Sequence, residues 1–249
     1  MRQDLHSHTY YSFCGKDKPE EIVEAAIAGE IELFGITDHA HDVGMGRKEI
    51  YSVVQEGATF SDYGKTLIRY YDHINLLKYK YADKIKILSG IEINTQKSLP
   101  LAVLPKGVDV SFFDYCLIEN LDHENSLTEG DIFSFAKQCG CSVTGIAHTD
   151  LFAHIARLGA DPLDYFRRMA DMNIFWEMNV SYDSIHGYRE HEYVRRFLAN
   201  EAQQEIVRRS GACLSVGFDG HRVEDYRPDR VVNCCETLKA LGIPLVFEE

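Results

Sequence analysis

No stretch of this sequence approaches the roughly 20 apolar residues needed to cross a bilayer, and Met1-Arg2-Gln3-Asp4 opens no apolar run of the leader type. A cytoplasmic protein without a membrane partner is the expectation. Cys-x-x-Cys pairs are missing too. The seven cysteines (Cys14, Cys116, Cys139, Cys141, Cys213, Cys234 and Cys235) are odd in number, which excludes the usual structural zinc pattern and suits reduced thiols packed as small hydrophobes. Basic charge is scarce, with 26 Lys and Arg against 39 Asp and Glu and a formal charge of −13. Such a surface repels phosphate backbones, so nucleic acid is disfavoured as a partner. Nor is there a Pro/Ser linker, a charge block, a composition shift or an internal repeat to divide the chain, and residues 1–249 read as a single domain.

What is present is ordinary for a globular protein, 45% hydrophobic and 26% charged, and it alternates strand and helix. Short apolar runs end at Asp4-Leu5-His6-Ser7-His8-Thr9, at Asp38-His39 after Leu33 to Thr37, and at Gly90-Ile91-Glu92. Others run over Asp114 to Glu119, Ser142 to Ala147 before His148, Ile174 to Met178 before Asn179, and Ala212 to Phe218 before Asp219-Gly220-His221. A last strand is expected over Ile243 to Phe247. Helices are predicted from Glu20 to Ala28 after Pro19, from Ser61 to Lys80, to about Gln138 behind a Thr128–Asp131 capping box, from Asp161-Pro162 to about Asp171, from Arg189 to Arg209 and from Pro228 to Leu241. A polar loop is expected after His39, through Gly44, Gly46 and Arg47.

Polar and chelating residues thus recur just past the C-terminal ends of strands. An open doubly wound sheet gathers ligands only at its switch point, whereas a closed or nearly closed (β/α) barrel brings every such end to one rim. An α/β barrel is the fold predicted. On extended backbone His6 and His8 leave the same face, about 7 Å apart along the strand. An isolated His-x-His is more often surface polarity than a chelator, and it is the set of later strand ends that turns the reading to metal.

Those motifs, Asp4-Leu5-His6-Ser7-His8-Thr9, Gly35-Ile36-Thr37-Asp38-His39, Gly90-Ile91-Glu92, His123, Ile146-Ala147-His148 and Asp219-Gly220-His221, resemble in identity and order the motifs of the PHP (polymerase and histidinol phosphatase) family. The resemblance implies a distorted (β/α)7 TIM-like barrel and a metal-dependent phosphoesterase with two or three divalent ions, zinc, manganese or iron. Carried onto this chain, it implies that His6, His8, Glu92 and Asp219 hold one ion. Glu92, His123 and His148 would hold a second, with the Glu92 carboxylate bridging, and His39 and His221 a third. The sequence departs from the pattern where the loop after His8 often supplies a His or acid. Here Cys14 stands, with Asp17 nearby, and Cys14 reads equally as a thiolate ligand and as a plain loop cysteine. Thr149 replaces the family's proline.

The donor chemistry supports the same reading. Mixed imidazole and carboxylate ligands suit zinc, iron or manganese, and a carboxylate between two cations lets them share a water acidified to hydroxide for in-line attack on phosphorus. Glu92, Asp219 and His221 are therefore the candidate catalytic residues, with Asp38 and Asp150 expected to orient ligand imidazoles. A phosphate needs a further cation, for which Arg157, Arg189 and Arg222 follow rim-side strands. His41, His73, His154, His186 and His191 read as surface. The substrate expected is a small phosphate monoester, with histidinol phosphate the most plausible single one. The rivals are a nuclease or phosphodiesterase of the same family, a metal-dependent amidohydrolase, and a non-catalytic metal-binding barrel.

Overall fold

The computed structural model describes residues 1–45, 63–96, 110–128, 130–181 and 191–248. Seven parallel strands run in chain order around one sheet: β1 (Gln3–Asp4), β2 (Leu33–Ile36), β3 (Lys86–Asn94), β4 (Tyr115–Glu119), β5 (Thr144–Ile146), β6 (Ile174–Asn179) and β7 (Leu214–Gly217). The sheet closes on itself. Leu5 N donates to Val216 O (2.9 Å), His8 N to Gly220 O (2.8 Å) and Asp219 N to His6 O (2.8 Å), so the strand register continues from β7 to β1. Asp4, fully buried, pins the seam by accepting from Phe218 N (2.9 Å) and from Tyr226 Oη (2.9 Å). The distorted seven-stranded barrel expected of the sequence is therefore present.

The helices are α1 (Pro19–Ala28), α2 (Ala40–Met45), α3 (Tyr63–Lys80), α4 (Ile132–Cys139), α5 (Leu151–Leu158), α6 (Pro162–Asp171), α7 (Glu192–Leu198), α8 (Glu201–Ser210) and α9 (Pro228–Ala240). None of the described helices is long and apolar enough to cross a membrane. Alternation along each strand divides the apolar side chains between two cores. On β6, Ile174, Trp176 and Met178 join the large cluster that also contains Phe166 and Phe197 of the helices, whereas Phe175 joins Leu5, Leu33, Leu88, Tyr115, Leu117 and Ala147 inside the barrel. The two largest interior rings need glycines opposite them. A Cβ at Gly145 would lie 2.3 Å from Phe175 Cζ, and one at Gly35 would lie 1.8 Å from Tyr115 Oη.

Several local expectations are corrected. The helix expected over Arg189 to Arg209 is two helices within its described part: Asn200 Oδ1 accepts from Gln203 N (3.1 Å) as an N-cap, while Gln204 Nε2 donates to the terminal carbonyls of Phe197 (2.9 Å) and Leu198 (3.0 Å). The cap of α4 is Asp131, accepting from Ser134 N (3.1 Å), not Thr128. The loop after His39 opens with α2, and Gly46 and Arg47 lie outside the described residues. Ile243 to Phe247 makes only a single parallel bridge, Leu214 to Leu245, in place of a strand.

Candidate metal centre

The C-terminal ends of the strands converge on one rim, and His6, His8, His39, Glu92, His148, Asp219 and His221 all come to it. His6, fully buried, directs Nδ1 to Glu177 Oε1 (2.7 Å). A carboxylate only accepts, so Nδ1 carries a ring proton, and the ring that gives up its other proton offers the Nε2 lone pair to a metal. That Nε2 lies 3.1 Å from His8 Nε2, 3.2 Å from Glu92 Oε1 and 3.5 Å from Asp219 Oδ1. His8 is set in the same sense: Ser12 Oγ donates to Asp38 Oδ1 (2.6 Å), so at 3.3 Å it accepts from His8 Nδ1, again leaving Nε2 to face Glu92 Oε2 (3.4 Å) and Asp219 Oδ1 (3.1 Å). Asp38 thus orients an imidazole as expected, but through Ser12.

Across the rim His39 Nδ1 stands 2.9 Å from Glu92 Oε2 and 3.4 Å from Glu119 Oε1, and His148 Nε2 stands 3.5 Å from Glu92 Oε1 and 3.9 Å from Glu119 Oε2. Despite these distances, both Glu92 oxygens, Glu119 Oε1 and His39 Nδ1 are buried without an aligned hydrogen bond. Buried carboxylate oxygens left in that state are costly. Carboxylate oxygens and imidazole nitrogens that converge without aligned hydrogen bonds to satisfy them are instead the arrangement of a cation's ligand shell. The donor set, imidazole with carboxylate, fits divalent zinc, manganese or iron. Three groups of side chains able to hold a metal ion occur among the described residues, each with its ligand atoms within 4.8 Å of one another: His6, His8 and Glu92; His39, Glu92 and Glu119; and, with a thiol in place of a carboxylate, His8, Cys14 and His221. Glu92 belongs to two of them, His8 to two.

The backbone at the rim is equally specialised. His148 (φ 24°), Asp219 (φ 56°) and Asn120 (φ 60°) adopt the left-handed region without being glycine, a conformation that costs energy and collects at functional sites.

Electrostatics follow from the crowding. Burial alone would push the His148 imidazolium toward lower pKa, but the Glu92 carboxylate outweighs it and holds the group up at about 9. His6, beside Glu177, Glu92 and Asp219, and His39, beside Glu92 and Glu119, are also held well above the ordinary histidine value against the effect of burial. Glu92 is driven the other way: burial raises it, and His6 and His39 more than reverse that. Burial pushes the Cys14 thiol up, so its thiolate needs a cation to form. At neutral pH a metal must therefore displace protons. We expect calorimetric zinc titrations of metal-free protein at pH 7, in buffers of different ionisation enthalpy, to show at least one proton released per site filled. Affinity should rise with pH, including through about 9 where His148 gives up its proton. The melting temperature of metal-free protein should fall over the same interval, because a group whose folded pKa is raised from 6.5 gives its stabilisation below 6.5 and loses it as pH passes 9. Metal binding with no proton release would contradict this electrostatic account.

Other expected residues lie elsewhere. Past Asn120 the chain turns outward, and His123 is exposed, its Nδ1 accepting from Asn125 N (3.1 Å). Glu119, four residues earlier, is the group that faces His39 and His148. Arg157 lines a separate cavity with His123 and His154, donating to Asp122 O (3.2 Å) and His154 Nδ1 (3.3 Å). Arg222 pairs with Glu224 (2.9 Å), and Arg189 and His186 lie outside the described residues. Asp150 caps α5 through Ala153 N (3.0 Å) and pairs with Arg196, so it orients no ligand imidazole. Asp17 accepts from Val223 N (2.6 Å), which ties down the loop that carries Cys14.

Three histidines read as surface are not. His41 stacks on His39 at 5.1 Å between ring centres, His191 on His148 at 6.0 Å, and His154 is on the buried face of α5. His73 is half-buried, with Nδ1 2.9 Å from Tyr11 Oη. His41 and His191 line, with His39, Asn94, Gln96, Glu119, Asn120, His148 and Asp219, a cavity of about 370 Å³ open at the rim. No Lys or Arg is among these lining residues.

The family model described as PHP domain matches residues 4–222. Among solved structures, the chain is similar to a histidinol phosphate phosphatase from Lactococcus lactis subsp. lactis Il1403, complexed with zinc, L-histidinol and phosphate. The TM-score is 0.62 at 17% identity, covering 98% of this chain and 95% of that one. A putative histidinol phosphatase from Listeria monocytogenes aligns with a TM-score of 0.49 at 16% identity, over 90% and 96% of the two chains. No curated protein matches the chain in sequence.

Proposed function

The chain belongs to the PHP domain family, and from that membership and the geometry of its rim we propose that it hydrolyses a small phosphate monoester with two or three bound divalent cations. The observation that carries the reading is Glu92: both its oxygens are buried without an aligned hydrogen bond, and each faces imidazole nitrogens that follow different strands. In this reading His6, His8 and Asp219 share one cation with Glu92, while His39, Glu119 and His148 share the next with it. His8, Cys14 and His221 face the place of a third. When bound, such cations acidify a water for in-line attack and neutralise charge on the phosphoryl oxygens.

The residues of the chain have the remaining tasks. Glu177 and Ser12 hold the imidazoles of His6 and His8 with Nε2 toward the ligand. His41 and His191, which burial shifts toward the neutral form, wall the cavity beside the cluster. Asn94, Gln96 and Asn120 offer amide donors and acceptors to the alcohol that departs. With no Lys or Arg among its lining residues, the described wall offers no track for a polyanion, which agrees with the overall charge of −13. Histidinol phosphate is the first small monoester to test.

The test is phosphate release from histidinol phosphate and from p-nitrophenyl phosphate by manganese-loaded and metal-stripped protein. We expect release only with metal and a preference for histidinol phosphate of about 100-fold or more in kcat/KM, equivalent to about 2.7 kcal/mol of transition-state binding. Equal rates on both would keep the phosphatase and overturn the substrate. A protein that fills its metal sites and releases no phosphate from either would overturn the reading in favour of a non-catalytic barrel, and nucleotide release from single-stranded DNA would favour a nuclease.

A further inference from the structure

We propose that Glu177, in the middle of β6, is the positioning residue that locks two metal ligands from different strands into one geometry. The inference rests on the metal-centre reading and assigns a role to a residue outside the ligand groups. Its side chain is 1% exposed and points into the barrel on the same face of β6 as Phe175, two residues earlier. Oε1 accepts from His6 Nδ1 (2.7 Å), Oε2 from the backbone N of His148 (2.7 Å), and Asn179 Nδ2 approaches Oε2 at 3.4 Å. One carboxylate thereby fixes the ring tautomer of a ligand on the β1 side and the backbone of a ligand after β5, where His148 holds its φ of 24°.

The surroundings are built to let it reach. A Cβ on Gly217 of β7 would lie 2.1 Å from Glu177 Oε1 and 2.7 Å from His6 Cβ, so only glycine leaves room for the His6 contact. The backbone around Glu177 is held as well, since Tyr193 Oη donates to Glu177 O (2.9 Å) and accepts from Asn179 N (3.1 Å). Fixed supports of this kind are what orient metal ligands.

The chemistry requires a carboxylate. His6 Nδ1–H and His148 N–H are both donors, and Glu177 meets them with two acceptors. A glutamine of the same shape has one acceptor and one NH2. If its oxygen takes His148 N–H, its NH2 meets His6 Nδ1, which must become the acceptor, moving the ring proton to Nε2 and removing the lone pair that a metal needs. If the oxygen takes His6, two donors meet at His148.

Calorimetric manganese and zinc titrations of metal-stripped wild type, Glu177→Gln and Glu177→Asp, with metal content measured after dialysis, test this. Both variants are expected to lose about 10- to 100-fold in metal affinity, the aspartate because it is one methylene too short to reach both donors. Wild-type metal affinity in a folded Glu177→Gln would overturn the proposal, even if its metal-free melting temperature were lower, since that is the result of a merely structural role. The second measurement needs no variant. Nitrogen-15 spectra of cadmium-loaded wild type should show His6 protonated at Nδ1 and bound to the metal through Nε2, and binding through Nδ1 would overturn the proposal. A wild type that binds no metal would instead sink the metal-centre reading itself.

Discussion

Glu92→Gln is expected to strip the protein of metal and to lower kcat/KM by at least about 1,000-fold, roughly 4 kcal/mol of transition-state stabilisation, while the metal-free barrel stays folded. The magnitude comes from position. Four imidazoles, from His6, His8, His39 and His148, approach the two Glu92 oxygens within 2.9 to 3.5 Å, so no other described side chain stands between as many donors. An amide keeps the volume and loses the charge, and it turns an NH2 toward nitrogens that must offer lone pairs to a cation. The fold should tolerate the change, because the neighbouring histidines can give up their protons once the carboxylate that raises their pKa values is gone. Metal content by mass spectrometry, a melting curve without metal, and phosphate release together check it. Near wild-type metal content and turnover would end the shared-carboxylate account. Run on Glu119→Gln and His123→Ala, the same assays separate the two candidates for the ligand after β4: metal loss is expected at Glu119 and retention at the exposed His123.

That pair also marks where sequence reasoning reached and where it stopped. The barrel was legible because each strand is a short apolar run ended by a polar group, and only a closed sheet brings so many strand ends together. His6 and His8 were legible as a pair because extended backbone turns alternate residues to one side, although β1 itself covers only Gln3 and Asp4. His123 draws the eye in the sequence because an imidazole suggests a ligand, whereas Glu119 ends β4 at the rim and carries no such signal; past the left-handed Asn120, residues 122 to 125 are exposed. Glu177 carried a fainter signal. It is the one acid in the run Ile174 to Asn179, and a lone acid in a strand covered on both faces must find a partner inside. The stacking of His41 and His191 on rim ligands had no local signal, since it depends on how loops fold back over the barrel mouth.

The second large effect is on folding rather than on metal. Gly35→Ala is expected to destabilise the protein by about 3 to 5 kcal/mol, a fall of roughly 10 °C in melting temperature for a chain of this size. The cause is inside the barrel. Tyr115 is fully buried there and donates its hydroxyl to Leu5 O (2.7 Å), the carbonyl immediately before His6. A Cβ on Gly35 would meet that hydroxyl oxygen at 1.8 Å and the Leu5 backbone at 3.1 Å, and neither a rigid ring nor a strand can swing away cheaply. Tyr115→Phe alone should cost only about 1 to 2 kcal/mol for the lost hydrogen bond and the unpaired carbonyl. The double variant is the decisive measurement. Removing the hydroxyl takes away the closest collision and leaves ring carbon Cζ at 3.0 Å, so the two losses should sum to less than their parts by at least about 1 kcal/mol. Strict additivity in denaturant melts would mean that the two residues do not meet inside the barrel. Because Leu5 O carries the strain directly into His6, the single Gly35→Ala variant should also bind metal more weakly, and the double variant should recover part of that affinity.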